Sequence, residues 1–180
     1  RKNLQGEERS HLHLSINEGT APSDTLPDGS LRQTAYDDSG NVTSETNELG
    51  VARTYLYDNA SQLVTATNPL GHSTAFEHNL AGQLKKIINP RGNATTFAFD
   101  NAGRVASVTD PVGNITQYGY NGDGDKTSET DPLNQTTVFV YNSRRRTTQV
   151  TDPLGNSTQI AYDPAGNRIE KKVNGVVTQY

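Results

Sequence analysis

Residues 99 to 114 read FDNAGRVASVTDPVGN and contain two tight-turn signals that start ten residues apart. The first signal, Asp100 to Gly103, begins with Asp and ends with Gly. The second, Asp110 to Gly113, adds Pro at the second position. Asp bonds its own backbone at the first position of a turn, Pro presets φ near −65° at the second, and Gly accepts a positive φ at the fourth. Both stretches therefore predict tight turns.

These signals recur with a period of 21 residues, without insertion or deletion from Pro27 to Gly166. One column is mostly aromatic and is followed each time by Asp or Asn: Tyr36, Tyr57, His78, Phe99, Tyr120, Tyr141 and Tyr162. Three further columns mark the turns: the prolines Pro69, Pro90, Pro111, Pro132 and Pro153; the residues Gly40, Ser61, Gly82, Gly103, Gly124, Arg145 and Gly166; and the residues Gly50, Gly71, Gly92, Gly113, Asn134 and Gly155. A fixed period of this length is typical of repeat architectures.

Two four-residue turns leave 13 residues of each repeat, or two strands of about six residues each. Thr95, Phe97 and Phe99 alternate with other residues, which places them on one face of a sheet. The second strand, with Val105 and Val108, carries a weaker pattern. The sequence predicts an all-β protein: a continuous antiparallel β-meander of 21-residue, two-strand repeats. A right-handed parallel β-solenoid with rungs of about twenty residues is the competing fold.

The composition limits what the chain can build. Hydrophobic residues make up 31% of 180 residues, and the net charge is −4, so a thick two-layer core is not expected but a thin sheet is possible. There is no basic footprint for nucleic acid and no apolar run of ~18 residues. The absence of cysteine excludes disulfides, thiol catalysis and cysteine-ligated metals. The chain opens on Arg1 without a signal peptide, and we expect it to be a piece of a longer polypeptide.

We expect three segments along the chain. Residues 1–26 form one or more degenerate N-terminal repeats, in which HLHLSI at 11–16 still alternates. Residues 27–172 form the repeat array, and residues 173–180 form a shortened or terminal repeat that contains an Asn-Gly hairpin signal. About fourteen strands at ~4.8 Å give a width of ~65 Å, at which open twisted sheets usually curl. With both edges unpaired, the isolated chain is expected to be poorly stable or to oligomerise.

Candidate sites have simpler explanations in the repeat. Seven aspartates fall in turn-opening columns: Asp37, Asp58, Asp100, Asp110, Asp131, Asp152 and Asp163. His78 occupies an aromatic column, and His72 follows a turn glycine. His11 and His13 would share a strand face, but no third metal ligand lies nearby in the sequence. We therefore predict no catalytic, cofactor-binding or metal site.

Two local motifs have a functional alternative. NGDGDK at 121–126 is similar to the first half of a calcium loop, but Lys126 takes the place of the glycine and Pro132 that of the bidentate glutamate. A divergent repeat turn is the favoured interpretation. Arg144, Arg145 and Arg146 are expected at an exposed hairpin tip. Contact with an anionic glycan or with another wall segment is the alternative for them.

The recurring phrase YDxxGxxxxxTDPxGxxTxxxYD, clearest from Phe99 through Tyr162, resembles the YD-repeat or Rhs-repeat family. The resemblance covers about residues 20 to 170. It implies a β-strip that spirals into a hollow shell, as in bacterial Rhs polymorphic toxins, toxin-complex subunits, wall-associated repeat proteins and animal teneurins. In the toxins the shell encloses a variable C-terminal effector. The terminal self-cleavage segment, the effector and delivery modules found in that family have no counterpart among these residues.

The resemblance implies a structural, non-enzymatic role without cofactors: a shell segment that encloses a C-terminal toxin or effector outside these residues. Its partners would be the rest of the same polypeptide's β-shell and that effector, with no nucleic acid and no membrane span. Export by a specialised secretion system would place it outside the cell or at the cell surface. A cell-surface array that binds glycan or protein is the alternative function.

Overall fold

A computed structural model describes residues 23–25 and 31–180 of the chain, which form sixteen β-strands and no helix. The strands are β1 Ser23–Thr25, β2 Leu31–Tyr36, β3 Val42–Thr46, β4 Ala52–Tyr57, β5 Leu63–Thr67, β6 Ser73–His78, β7 Leu84–Ile88, β8 Ala94–Phe99, β9 Val105–Thr109, β10 Ile115–Tyr120, β11 Lys126–Thr130, β12 Thr136–Tyr141, β13 Thr147–Thr151, β14 Ser157–Tyr162, β15 Arg168–Val173 and β16 Val176–Gln179. Most of the predicted degenerate segment 1–26, with His11 and His13, lies outside the described residues. The three segment boundaries stay predictions.

The chain divides into two units, one ending at Gly92 and the other comprising Asn93–Tyr180. Strands β1 to β7 follow one another in the first unit, and β8 to β16 do so in the second. In both units each strand pairs with its chain neighbours, and the pairing is antiparallel, as between β8 and β9 or β13 and β14. The predicted antiparallel meander is confirmed, and the parallel solenoid is wrong.

The turn from Asp100 to Arg104 shows how the chain reverses. The Gly103 N–H donates to the Asp100 carbonyl over 3.0 Å, and the Asp100 N–H donates to the Arg104 carbonyl over 2.9 Å. Gly103 has φ 79°, so the connection is a type I turn followed by a left-handed residue. Its fifth residue, Arg104, also belongs to the connection. From β2 to β13 each repeat therefore has strands of six and five residues, as in β8 and β9, rather than two of six.

An Asx side chain fixes each of these turns. Asp100 Oδ1 accepts hydrogen bonds from the N–H groups of Ala102 and Arg104, both at 2.9 Å. Asn68 does the same with Leu70 and His72, at 2.9 and 3.0 Å. Asp and Asn share the oxygen that this bond pattern needs, which explains why both occupy the turn-opening columns.

A left-handed residue is present at the fourth position of the turns between residues 37 and 167. Three of these residues are not glycine: Ser61 at φ 58°, Asn134 at φ 60° and Arg145 at φ 60°. Asn tolerates this conformation better than Ser or Arg does. Ser61 and Arg145 are therefore the strained turns of the array.

A β-bulge recurs where each six-residue strand meets the next strand. Phe97 faces Val108 and Phe99 faces Val105, with a register shift between Ala98 and Phe99. Because the bulge inserts one extra residue, Val105 and Val108 lie on the same face although they are three positions apart. The weak pattern of the second strand therefore comes from a register irregularity and not from a lack of order.

No side chain within residues 31–180 is fully buried. Most strand residues are half-buried, including the aromatic ones of β10 and β12. Each unit is thus a sheet without a second layer, as the low hydrophobic content predicts. Backbone ladders, turns and contacts between neighbouring strands hold it together.

Ser61→Gly should raise the free energy of unfolding by about 0.5–1 kcal/mol. Glycine relieves the left-handed strain, and the loss of the 3.0 Å hydrogen bond from Asn41 Nδ2 to Ser61 Oγ offsets part of the gain. Ser39→Gly is the matched control, since Ser39 lies one position earlier in the preceding turn of the same kind and lacks a positive φ. It should lower stability. Urea denaturation measures both, and equal effects would contradict the strain argument.

Candidate functional surface

The register gives each sheet two chemically different faces. The aromatic face carries alternate residues of the six-residue strands, among them Tyr55, Tyr57, Phe76, His78, Phe97, Phe99, Tyr118, Tyr120, Phe139, Tyr141, Ile160 and Tyr162. The opposite, hydroxyl face carries Thr54, Thr67, Ser73, Thr96, Ser107, Thr109, Ser128, Thr130, Thr136, Thr151 and Ser157. The sequence predicts the aromatic face, including its threonine column, whereas the hydroxyl face emerges only from the pairing.

Tyrosine hydroxyl groups connect successive repeats on the aromatic face. Each donates to the carbonyl of the residue 15 positions earlier, which begins the five-residue strand of the preceding repeat. The bonds are Tyr120 Oη to Val105 at 2.9 Å, Tyr141 Oη to Lys126 at 2.8 Å and Tyr162 Oη to Thr147 at 2.9 Å. The bulge occurs at this same carbonyl-bearing end of the strand. In the second unit, these three tyrosines therefore connect neighbouring repeats.

Arginines at the ends of the turns add a second connection. The Arg104 guanidinium lies over the Tyr120 ring, 4.6 Å from its centroid. Its Nε donates to Asp100 Oδ2 at 2.7 Å, and its Nη1 donates to the Asn121 carbonyl at 2.9 Å. Arg146 lies over Tyr162 in the same way at 5.6 Å. These contacts connect neighbouring repeats through side chains as well as through the backbone.

Tyr141→Phe should lower the free energy of unfolding by about 1 kcal/mol, because it removes one hydroxyl hydrogen bond and keeps the ring. Tyr118→Phe is the control: Tyr118 lies on the same face, and its hydroxyl makes no hydrogen bond to the described residues. Thermal and urea unfolding should separate the two variants. If both changes have the same effect, the hydroxyl bond does not stabilise the array.

One repeat of the second unit carries charges in the centre of the aromatic face. Lys126 Nζ lies 5.6 Å from the Tyr118 ring centroid and 5.0 Å from that of Phe139, and it donates to Glu129 Oε2 at 2.5 Å. The hydrogen bond to Glu129 raises the pKa of Lys126. The cation and its carboxylate occupy the positions that Val105 and Val108 hold in the previous repeat. This patch offers aromatic rings, one cation and one anion to a ligand.

The first unit has two shallow depressions on its aromatic face. One, of about 440 Å³, is lined by Arg32, Glu45 and Arg53 among others. The other, of about 260 Å³, shares Arg53 with the first and is also lined by Tyr55. Tyr55 Oη donates to Glu45 Oε2 at 2.7 Å, and this bond raises the pKa of Tyr55. The depressions combine both signs of charge, so they do not define a site for one class of ion.

The turns form two rims. The YDxxG rim comprises 37–41, 58–62, 79–83, 100–104, 121–125, 142–146 and 163–167, and the DPxG rim comprises 47–51, 68–72, 89–93, 110–114, 131–135 and 152–156. Because the strands alternate in direction, the two rims lie at opposite ends of the strands.

The three consecutive arginines Arg144, Arg145 and Arg146 contact the neighbouring repeats on both sides. Arg145 Nε donates to Asp125 Oδ1 at 2.7 Å in the preceding turn. Arg144 donates to the Pro164 carbonyl in the following turn. With Arg146 over Tyr162, the cluster connects three consecutive turns. It forms an exposed hairpin tip, as predicted, and its contacts are with neighbouring repeats of the same sheet.

The other candidates have structural positions. NGDGDK forms a regular repeat turn: Asn121 Oδ1 accepts the N–H groups of Asp123 and Asp125 at 3.1 and 2.9 Å, and Asp125 faces Arg145. His78 ends β6 in the aromatic column, and the His72 N–H bonds to an Asx turn. Within the described ranges, no group of three acidic or histidine side chains is arranged to hold a metal. Among the candidates that lie in the described residues, the structure brings none together into a reactive cluster.

Several turn aspartates are held in their charged form. The Asn114 side-chain amide donates to Asp110 Oδ2 at 2.8 Å and lowers the pKa of Asp110, and backbone N–H groups of Asn114 and Val112 lower it further. Asp37, Asp152 and Asp163 have lowered pKa values for the same reason, their main donors being the side chains of Asn41, Asn156 and Asn167. For Asp100, the backbone N–H of Arg104 is the main cause of the lowered pKa.

Acid should destabilise the fold through these aspartates. Below an ordinary pKa near 3.8 the unfolded chain binds more protons than the folded chain, so stability falls as pH drops toward the lowered folded pKa. Asp110→Asn keeps the turn oxygen, as Asn68 and Asn121 do, but removes one titrating group. We expect near-unchanged stability at pH 7 and a smaller loss between pH 5 and 3 (about the range of the linkage), measured by urea denaturation. A loss as steep as that of the original chain would contradict this role for Asp110.

The sequence-based reasoning missed the bulges and the arginine–tyrosine contacts. The signal for the bulge is the three-residue spacing of Leu84 and Ile87, and of Val105 and Val108, where a regular strand has even spacing. The arginine–tyrosine contacts have no comparable signal in the sequence. Among the last residues of the YDxxG turns, only Arg104 and Arg146 place a guanidinium over an aromatic ring, so these contacts do not form a repeating column.

Taken together, these features define a sheet-forming repeat protein with an aromatic face, a hydroxyl face and two rims of tight turns. The sequence profile of the RHS Repeat family matches residues 36–74, 78–115, 99–136 and 120–157, more than half of the chain. The last three matches start 21 residues apart, each at the aromatic column. The chain belongs to the RHS Repeat family.

Comparison with solved structures finds the same fold in larger assemblies. The crystal structure of TcdB2–TccC3 superposes with a TM-score of 0.50 at 18% identity, over 88% of this chain and 8% of that chain. The Tc holotoxin pore of Photorhabdus luminescens gives a TM-score of 0.49 at 14% identity, over 87% of this chain and 12% of that chain. Comparison with curated proteins finds no match. Among the described residues, no helix has the length and apolar character to cross a membrane.

Proposed function

We propose that this repeat sheet is a wall segment of a shell that encloses a C-terminal toxin or effector domain of the same polypeptide, outside residues 1–180. The observation that carries the proposal is the combination of the RHS Repeat match with a fold likeness to TcdB2–TccC3, of which the chain spans 8%. That fraction fits a piece of wall rather than a complete container.

The chemistry of the sheet supports a mechanical role. Its turns use their carboxylates and amides for backbone hydrogen bonds, as Asp110 does with Val112 and Asn114. Its arginine cluster connects neighbouring turns. Groups used in this way are unsuited to acid–base work, and the proposal assigns the chain neither a catalytic role nor a cofactor. Enclosure would rest on the steric barrier of a hydrogen-bonded sheet.

The proposal names the partners and the location. The partners are further repeat segments of the same polypeptide, which complete the wall, and the effector, which lies against its inner face. Such a protein acts outside the cell that makes it, so we place it in the secreted or cell-surface fraction, exported by a specialised system. Neither nucleic acid nor a membrane span enters the mechanism.

Limited proteolysis of the full-length polypeptide tests the enclosure. A C-terminal fragment should survive protease concentrations that digest the same fragment produced alone. Gly103→Val with Gly124→Val, which forces valine into two left-handed positions at φ 79° and 87°, should open the wall and abolish the protection. Ala102→Ser with Asp123→Ser changes the adjacent turn positions, which lack positive φ, and should leave the fragment protected. A fragment digested equally in all three proteins would refute enclosure.

A second function, glycan binding at a cell surface, is favoured by one observation. Tyr118 and Phe139 flank Lys126 on an aromatic face that remains half-exposed, and such rings can stack on sugars. If the C-terminal fragment is unprotected and the polypeptide binds isolated cell-wall polysaccharide through Phe139, this second function replaces the first.

A further inference from the structure

Charge is distributed unevenly along the chain. Residues 142–180 contain six lysines and arginines against three acidic residues, which gives a net charge of +3. Residues 1–141 contain ten lysines and arginines against seventeen acidic residues, which gives a net charge of −7. The last repeats are therefore a basic region in an otherwise acidic chain.

Three cations of this region lie on the aromatic face. Arg146, which ends the turn before β13, lies over the Tyr162 ring at 5.6 Å from its centroid. Arg168 and Lys171 belong to β15 and face Tyr162 and Ile160 of β14 across the ladder. Because strand partners share a face, both side chains of β15 lie on the same side as Tyr162. The last strands thus add positive charge to a face that is mainly aromatic in the preceding repeats.

These cations alternate with aromatic rings. Tyr162 lies between Arg146 and Arg168, and the Arg168 guanidinium in turn lies 4.2 Å from the centroid of the Tyr180 ring. A Cβ atom at Gly166 would clash with the guanidinium of Arg146, so this group packs directly on the glycine and is held between it and the Tyr162 ring. We call the following residues the basic strip: Arg146, Tyr162, Arg168, Lys171 and Tyr180.

The basic strip lacks carboxylate partners within the part of the chain that the structure describes. None of its three cations forms an ion pair there. Other cations on the aromatic face of the same unit do have partners: Arg104 pairs with Asp100 at 2.7 Å, and Lys126 pairs with Glu129 at 2.5 Å. The strip is therefore set apart from the cations of the preceding repeats by its missing anions.

The carboxylate next to the strip in the sequence is used by its own turn. Asp163 follows Tyr162, and its Oδ1 accepts the N–H groups of Gly166 and Asn167 at 2.6 and 2.8 Å. Its Oδ2 accepts a hydrogen bond from Asn167 Nδ2 at 2.9 Å. With Asp163 included, three cations stand against one carboxylate, so the local charge stays positive.

The dimensions of the strip fit a short acidic peptide. Arg146 and Arg168 flank β14, two strand spacings or about 9.6 Å apart. An extended peptide rises ~3.3 Å per residue, so carboxylates three residues apart have nearly the same separation. A long polyanion such as nucleic acid gains its affinity from many cation contacts, whereas the strip offers three beside a net acidic remainder.

We propose that the basic strip binds an extended acidic segment of a partner protein. The guanidinium groups of Arg146 and Arg168 take carboxylates in the fork geometry of arginine, and Lys171 adds a third positive charge. The rings of Tyr162 and Tyr180 contact the apolar atoms between the carboxylates. Arg168 and Tyr180 are exposed and the other members are half-buried, so a ligand can reach the strip. The inference does not depend on the enclosure of an effector.

Fluorescence anisotropy with the 180-residue chain tests the binding. The probe is a short labelled peptide with glutamate at every third position and glycine between. Arg168→Gln with Lys171→Gln should weaken its binding by about tenfold or more, because two charge-assisted contacts are lost. Added salt should weaken the binding of the unchanged chain as well.

A matched variant removes the same charge elsewhere. Lys172 is the next residue of β15 but faces Gln159 on the hydroxyl face, and Arg91 is exposed in the first unit. Lys172→Gln with Arg91→Gln should leave the affinity unchanged. Arg168→Lys, which keeps the charge, should retain most of the affinity, and circular dichroism checks that each variant keeps its sheet.

Three results would overturn the proposal. One is a glutamate peptide that does not bind at about 1 mM, or binds no better than the same peptide with glutamine in place of glutamate. Another is equal affinity in the two double variants, which would indicate an effect of net charge alone or a site elsewhere. The third is a single-stranded oligo-dT of the same charge that binds the strip more tightly than the peptide, which would make the strip a nucleic-acid site.

Discussion

The left-handed residue at the fourth position of each turn is the constraint on which the rest of the structure depends. It lets the chain reverse its direction within five residues, as at Gly103 with its φ of 79°. The next strand then pairs directly with the strand before the turn. No side chain in residues 31–180 is fully buried, so there is no core to correct a wrong reversal. The Asx side chain at the first position of each turn stabilises the same reversal, as Asp100 does by accepting hydrogen bonds from two backbone N–H groups of its turn. The geometry of the turns therefore determines the fold, as the packing of a core does in a globular domain.

The bulge converts this regular reversal into a sheet with chemically distinct faces. By inserting one residue opposite Phe99, it places Val105 on the aromatic face together with Val108. The tyrosines that end β10, β12 and β14 then lie where their hydroxyl groups reach a backbone carbonyl of the preceding repeat, as Tyr120 does with Val105. A bulge also increases the local twist of the strand. One repeated irregularity therefore sets both the face pattern and the connection between repeats.

The features that depend on local turn chemistry could be predicted from the sequence. The features that depend on strand register could not. Turn position and antiparallel pairing follow from Asp, Pro and Gly at fixed spacing, and the Asn174–Gly175 signal yields a two-residue hairpin between β15 and β16. The expected number of strands, about fourteen, was two short of the sixteen described. The five-residue strands and the bulges were missed. Two apolar residues three positions apart, such as Val105 and Val108, break the alternation of a regular strand and share a face only if a bulge lies beside them. The contacts of Arg145 with Asp125 and of Arg104 with Tyr120 join residues 20 and 16 positions apart, which no turn or alternation rule addresses.

A sheet without a core gains stability from each neighbour that it acquires, and this property suits a wall. Each repeat adds a ladder and half-burial of the side chains next to it, and three repeats of the second unit add a tyrosine bond such as Tyr162 to Thr147. Its stability is then approximately a sum of repeat terms and nearest-neighbour terms. A ribbon of this kind can be lengthened by whole repeats without redesign, whereas a globular core limits the size of a domain. What such a ribbon lacks is cover for its faces and rims, and the exposed Leu133 and Leu154 show where that cover is needed.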